Sequence, residues 1–154
     1  MRVEMEIQGA DRIMHLLRSL PYETVSKRGG PVKLALAKGA RVLRDQAKTN
    51  LQAAIAINGD VSTGLLLENV VATRGKPPTG SRGERYLVRV RKRKYPDRSM
   101  TTIPVAYWLE YGTVTQPATP WLRPAFQTKA QDVITIITKD LLRRLELIVR
   151  RLGR

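Results

Sequence analysis

The stretch Val70-Val71-Ala72-Thr73-Arg74, then Gly75-Lys76-Pro77-Pro78-Thr79-Gly80-Ser81-Arg82-Gly83, then Arg85-Tyr86-Leu87-Val88-Arg89-Val90, decides the fold class. Its first part looks extended. Its middle is rich in Gly and Pro and must be a loop. In its last part Tyr86, Val88 and Val90 alternate with Leu87, Arg89 and Arg91, the period of a strand, and this predicts a strand over 85–94. Two strands joined by a long loop make a hairpin. It interrupts a chain that otherwise reads largely as helix.

Before the hairpin, Val3, Met5 and Ile7 alternate with Glu4 and Glu6, a short strand that Gly9 ends. Asp11 is expected to cap a helix with the apolar stripe Ile13, Leu16, Leu17 and Leu20, and Pro21 stops it. After the polar loop Ser26–Gly30, Pro31 suits a first helical position. Val32, Leu36, Leu43, Ala47, Leu51 and Ala54 then recur in three- and four-residue steps, with Gly39 and Ala40 in the stripe. This spells a helix of about 25 residues that Asn58-Gly59-Asp60 breaks. Ser62 or Thr63 is placed to cap a turn through Leu65, Leu66 and Leu67.

After the hairpin, a short helix fits between Val105 and Tyr111. Residues 112–123 form a Pro- and Thr-rich connection. A last helix runs from about Pro124 to Leu152 on Phe126, Ala130, Val133, Ile134, Ile137, Leu141, Leu145, Ile148 and Leu152. Helices and strands do not alternate strictly, so the class is α+β, with a small antiparallel sheet packed by a long central and a long C-terminal helix. The 154 residues make a single domain over 1–154, with a basic hairpin insertion at about 70–98 and no internal repeat.

Composition narrows the chemistry. With no Cys, disulfides, thiol catalysis and zinc-thiolate sites are out. One His, His15, rules out a His-cluster metal site and argues against a His-based triad. Lying among Met14, Leu16 and Leu17, it reads as a buried or half-buried side chain with a backbone partner. The acids are scattered, without a cleft pair for acid–base work. Glu110, among Trp108, Leu109 and Tyr111, stands out, and it reads as the acid of a structural ion pair with an Arg. The 75–83 loop lacks the Gly-Lys-Ser/Thr ending of a phosphate loop. No catalytic residue, cofactor or metal ligand is therefore assigned. No apolar run approaches the roughly 20 residues of a membrane span, and acids at 4 and 6 replace a leader's apolar stretch, so a membrane is not expected as a partner.

The net charge of +15 points to a polyanion or an acidic protein. From 82 to 98 there are eight basic residues, among them Arg89, Arg91, Lys92, Arg93 and Lys94, against Glu84 and Asp97. The C-terminus adds Arg143, Arg144, Arg150, Arg151 and Arg154 against Glu146. These cations are candidates to face a partner or DNA. No helix-turn-helix, ribonucleoprotein or zinc-finger pattern accompanies them, and aromatics are only 5%, thin for base stacking. Contact with DNA would run through its backbone and weaken steeply with salt.

The most specific feature is Tyr107-Trp108-Leu109-Glu110-Tyr111-Gly112-Thr113 followed by Pro120-Trp121-Leu122-Arg123-Pro124-Ala125. Gly112 permits a tight turn, Thr113 can bond locally, and Pro120 and Pro124 stiffen the approach to the last helix. Trp108, Tyr111, Trp121 and Leu122 are expected to form a small aromatic cluster, with Arg123 placed to meet Glu110. These two blocks resemble a signature of the tail-component or neck proteins of tailed phages, the family named after gene product ten of the HK-type lambdoid phages. Ala47-Lys48 and Thr63-Gly64-Leu65 are similar to further family patterns, Asn69-Val70 departs from the commoner Ser-Ile, and the hairpin between 74 and 98 is the least constrained part.

The resemblance implies a structural virion protein, not an enzyme. It would be a ring-forming subunit, of six copies, that completes the tail and helps it join the head. Its partners would be further copies of itself, the head–tail connector, and a tail terminator or tail tube, with transient contact to packaged DNA. It would be assembled in the bacterial host cytoplasm and sit in the virion neck. Two other readings stay open: a nucleic-acid-binding protein without sequence specificity, using the hairpin and the Arg-rich helix, and a small hydrolase or toxin. The lack of a nucleophile–base pair argues against the last.

Overall fold

The computed structural model describes residues 10–21, 30–58, 64–77, 79–80 and 83–153. The expected strand at Val3–Ile7, the loop before Gly30 and the capping role of Ser62 or Thr63 lie outside them. The described elements are α1 (Ala10–Ser19), α2 (Pro31–Ile57), α3 (Leu65–Glu68), β1 (Val70–Gly75), β2 (Arg85–Val90), α4 (Thr102–Tyr111) and α5 (Leu122–Leu152). β1 and β2 form a two-stranded antiparallel sheet, so the class is α+β, with long central and C-terminal helices of 27 and 31 residues.

Contacts group the residues into two compact units, and α2, the hairpin and α5 each contribute to both. In the first unit, the stripe of α1 (Ile13, Leu16, Leu17, Leu20) packs with Val32 and Ala35 of α2 and with Ile137, Leu141, Leu145 and Ile148 of α5. Gly39 lets the two long helices approach: a Cβ there would lie 2.5 Å from Ile137 Cγ1. Asp140 is buried beside them and accepts from Lys38 Nζ at 2.9 Å and Arg144 Nε at 2.5 Å. Burial works to raise the Asp140 pKa, but the Arg144 and Lys38 bonds outweigh it and hold the carboxyl below its ordinary value. At the hairpin's tip end, Arg74 grips Glu84 with Nε and a terminal nitrogen at 2.8 and 2.6 Å.

The second unit buries Leu43, Ala47, Leu51 and Ala54 of α2, Leu66 of α3, Val70 of β1, Ala106 and Leu109 of α4, and Trp121 and Ala125 at the start of α5. α3 is capped at its N-terminus by Gly64 in the left-handed conformation (φ 76°). Asn69 closes its other end through its side-chain N–H to Leu65 O at 2.8 Å.

Several expectations need correction. Asp11 lies inside the first turn of α1 rather than at its cap. His15 is exposed, because the 13, 16, 17, 20 stripe turns position 15 outward with Asp11, Met14 and Arg18. The second strand stops at Val90 rather than running to 94. Beyond it Thr102 captures the backbone: its hydroxyl donates to Arg91 O at 2.5 Å and accepts from Arg93 N at 3.0 Å, while its own N–H donates to Arg93 O at 2.9 Å. α5 begins at Leu122, two residues ahead of the expected start, because the residues around its first turn find a distant acceptor.

Candidate functional site

The two halves of the Tyr107–Ala125 signature meet in the second unit, and the meeting point is a carboxylate. α4 buries Thr102, Ala106, Leu109 and Glu110, positions that share one helical face. Glu110 Oε2 accepts the backbone N–H groups of Trp121 and Leu122, each at 2.8 Å, and Oε1 accepts that of Arg123 at 3.1 Å. A helix leaves its first four N–H groups without intrahelical partners. Here the residue before α5 and its first two residues are satisfied by one side chain, and the next, Pro124, has no N–H to satisfy. The negative carboxylate also faces the positive end of the helix dipole.

Arg123 completes the lock. Its Nε donates to Glu110 Oε1 at 2.8 Å and a terminal nitrogen donates to the Glu110 backbone carbonyl at 3.1 Å. The expected ion pair is thus present, and the backbone N–H bonds around it are a further layer that residue types alone do not announce. Burial pushes the Glu110 pKa up, yet the bonds from Leu122, the Arg123 side chain, Trp121 and the Arg123 backbone together hold it below the ordinary value. A carboxylate with both oxygens so occupied is a structural clamp.

Trp121 is the buried aromatic of the corner, 2% exposed, with its indole N–H donating to Ala106 O at 3.2 Å. Asn50 of α2 donates to Trp121 O at 3.1 Å, and Asn58 to the Thr119 hydroxyl at 2.8 Å. The expected four-member aromatic cluster is not formed. Leu122 is half-buried beside Trp121, but Trp108 is 39% exposed and Tyr111 59%. The helical period that turns Glu110 inward turns Trp108 and Tyr111 outward. Tyr107 and Tyr111 instead stack on the surface, with ring centroids 5.8 Å apart and planes 21° from parallel, and the Arg123 guanidinium lies 4.7 Å from the Tyr111 ring centre.

Between the helices runs a tight loop. Gly112 has φ 79°, and a Cβ there would meet Ala118 N at 2.8 Å. Thr113 Oγ1 accepts from the N–H of Gln116 at 3.0 Å and of Thr115 at 3.3 Å, while Thr113 N donates to Gln116 O at 2.8 Å. Pro120 is exposed at its far end.

Val88, Arg89 and Val90 of β2, Ile103, Tyr107 and Tyr111 of α4 and Leu122 and Arg123 of α5 line a groove of about 360 Å³. Arg89 Nε donates to Thr73 Oγ1 at 3.0 Å. Arg91, Lys92, Arg93 and Lys94 are exposed along the segment that Thr102 pins. In the first unit, Arg143, Arg150 and Arg151 are exposed on α5. Arg144 is half-buried and committed to Asp140, so it leaves the set of free surface cations. Sequence reasoning missed the Asp140 cluster although Asp140 and Arg144 stand at the i,i+4 spacing that signals such a pair.

Among the described residues there is no group of three or more acidic or His side chains that could hold a metal ion, and no helix long and apolar enough to cross a membrane. Comparison with family models, with curated proteins and with solved structures returns no match.

Proposed function

We propose that this chain is a structural virion protein of a tailed bacteriophage or prophage, a ring-forming subunit at the neck that completes the tail and joins it to the head. The observation that carries this reading is the interlock of the two signature blocks through Glu110, Trp121 and Arg123. The residues that resemble the phage family are committed to fixing the base of a 31-residue helix, which suits a part that must hold its shape under the forces of assembly. The useful output is contact: with identical copies in a ring of six, and with the connector above and the tail below.

The charge distribution supports a partner of different chemistry for the basic segment. Asp45, Glu84, Glu110, Asp140 and Glu146 are each engaged in an ion pair within the chain. The exposed acids Asp11, Glu68 and Asp97 are scattered along the chain, so a second copy offers the exposed run Arg91–Lys94 single acids rather than an acidic run. An acidic ring of the neck supplies counter-charge, and so does DNA in transit, provided contact is weak enough to let it pass.

The test is a phage carrying Arg91, Lys92, Arg93 and Lys94 all replaced by Glu. The four are exposed, so the fold persists, and heads and tails accumulate unjoined in electron micrographs. Normal infectious particles from that variant remove the basic segment from the mechanism, and absence of the protein from purified virions overturns the reading itself. The same run of exposed cations favours one alternative, a nucleic-acid-binding protein without sequence specificity. Filter binding separates it: tight binding to any duplex, collapsing as salt rises, supports the alternative.

A further inference from the structure

The loop between α4 and α5 is built like a knob. Val114 at its tip is 105% exposed, as open as an isolated residue, although large apolar side chains gain by leaving water. The loop is not slack. Gly112, the Thr113 hydroxyl and the Thr113–Gln116 backbone bond fix its tip, and Thr119 N donates to Leu109 O at 2.8 Å to fix its return. A rigid loop holding an apolar side chain in solvent has already met the ordering cost that docking would otherwise impose.

The same unit carries a hole. The groove between β2, α4 and the start of α5 has apolar walls from Val88, Val90, Ile103 and Tyr107, with Arg89 and the Glu110–Arg123 ion pair among its lining residues. At about 360 Å³ it lies at the small end of the range that closes around a ligand, and it suits a loop tip. Charge selects the occupant. Arg123 is paired with Glu110, so the net charge of the groove is that of Arg89, and on a chain of net charge +15 most surfaces would bring further cations to it. Residues 111–122 are the longest run of the sequence without an acidic or basic side chain, and Val114 is the most exposed large apolar side chain in it.

We infer that Val114 and its flanking threonines, on one copy of this chain, seat in the Val88–Val90–Ile103–Tyr107 groove of the next copy. Knob and hole are different patches of one surface, so the contact is head-to-tail and repeats around a closed ring, or along a filament if the rotation does not close. The inference rests on the reading of the chain as a self-assembling subunit and supplies the contact that reading needs.

Because the chain has no cysteine, the pairing can be trapped directly. Val114→Cys and Val90→Cys are made in separate chains, mixed and mildly oxidised, with sedimentation of the unmodified protein run in parallel. A disulfide-linked heterodimer is expected. It is lost when Gln52→Cys, an exposed position on α2, replaces Val90→Cys, and the chain carrying both the Val114 and Val90 substitutions gives a ladder of linked oligomers. Val114→Lys, at a position whose side chain is wholly in solvent, shifts the protein to monomer with an unchanged circular dichroism spectrum. Oligomers that form without a crosslink between positions 114 and 90 overturn this contact and leave the ring standing. Monomers at every concentration, with no linked species, overturn both.

Discussion

Glu110 and Trp121 hold each other inside the corner: the carboxylate accepts the Trp121 backbone N–H at 2.8 Å, and the Trp121 indole reaches back to Ala106 on the helix that carries Glu110. One side chain thereby joins α4 to α5, caps α5 and neutralises Arg123. Replacing Glu110 with Ala strands the leading N–H groups of α5 and removes the anion beside Arg123, for a loss of about 2–4 kcal/mol. Glu110→Gln keeps one carbonyl acceptor and costs about half as much. Urea unfolding followed by tryptophan fluorescence reads both. A loss within error of zero for Glu110→Ala means that the cap is not a determinant of stability.

The same carboxylate sets the acid limb of the stability curve. Glu110 and Asp140 both have folded pKa values below their unfolded ones, so their contribution is complete above the unfolded values of about 4.3 and 3.9 and is lost as pH falls through the lower folded ones. The melting temperature is therefore expected to change little from neutral pH down to about 5 and to drop below about 4. Glu110→Gln flattens the drop, because a glutamine has no proton to take up. Parallel acid limbs for the two proteins would show that Glu110 titrates alike in both states.

Thr102 ties the corner to the basic segment. It is fully buried, and its hydroxyl serves Arg91 O and Arg93 N together. Thr102→Val removes the hydroxyl partner of the part-buried Arg91 C=O and Arg93 N–H at a cost of about 1 kcal/mol, whereas Thr102→Ser retains both bonds. Amide hydrogen exchange at Arg93 is expected to quicken in the Val variant and stay near the parent rate in the Ser variant. Equal exchange in all three proteins removes Thr102 as the anchor of Arg91–Lys94.

Which of these features can be read in advance follows from what carries them. The stripes of α1, α2 and the middle of α5 are side-chain periodicities, so their burial is legible, although Phe126 and Leu152 at the two ends of the α5 stripe are exposed. Legible too is the meeting of Glu110 with Arg123, two opposite charges on either side of a Pro-rich link. The cap of α5 is carried by backbone N–H groups, and no residue type marks them. Thr102 is ordinary in sequence, and only the chain's return after Val90 gives its hydroxyl two partners. Trp108 misleads because an aromatic beside an acid suggests burial, whereas the helical period assigns the inward position to Glu110. His15 misleads in the same way, since adjacency to leucines is not membership of their stripe.

Gly39 gives the sharpest steric case. A Cβ added there would lie 2.5 and 2.6 Å from Ile137 Cγ1 and Cδ1 and 3.2 Å from Val133 Cγ1. Glycine in a helix interior costs about 1 kcal/mol relative to alanine, so an unconstrained Gly39→Ala change would stabilise α2. Here the close approach of α5 reverses the sign, and overpacking is expected to cost about 1–3 kcal/mol. Ile137→Ala alone, at a half-buried position, costs about 1–2 kcal/mol. In the double variant the new methyl group occupies space that Ile137 vacated, so the combined loss falls below the sum of the two. A double-mutant cycle on urea midpoints measures this coupling. Additive losses would place the two side chains out of contact and deny that Gly39 is the point where the long helices close.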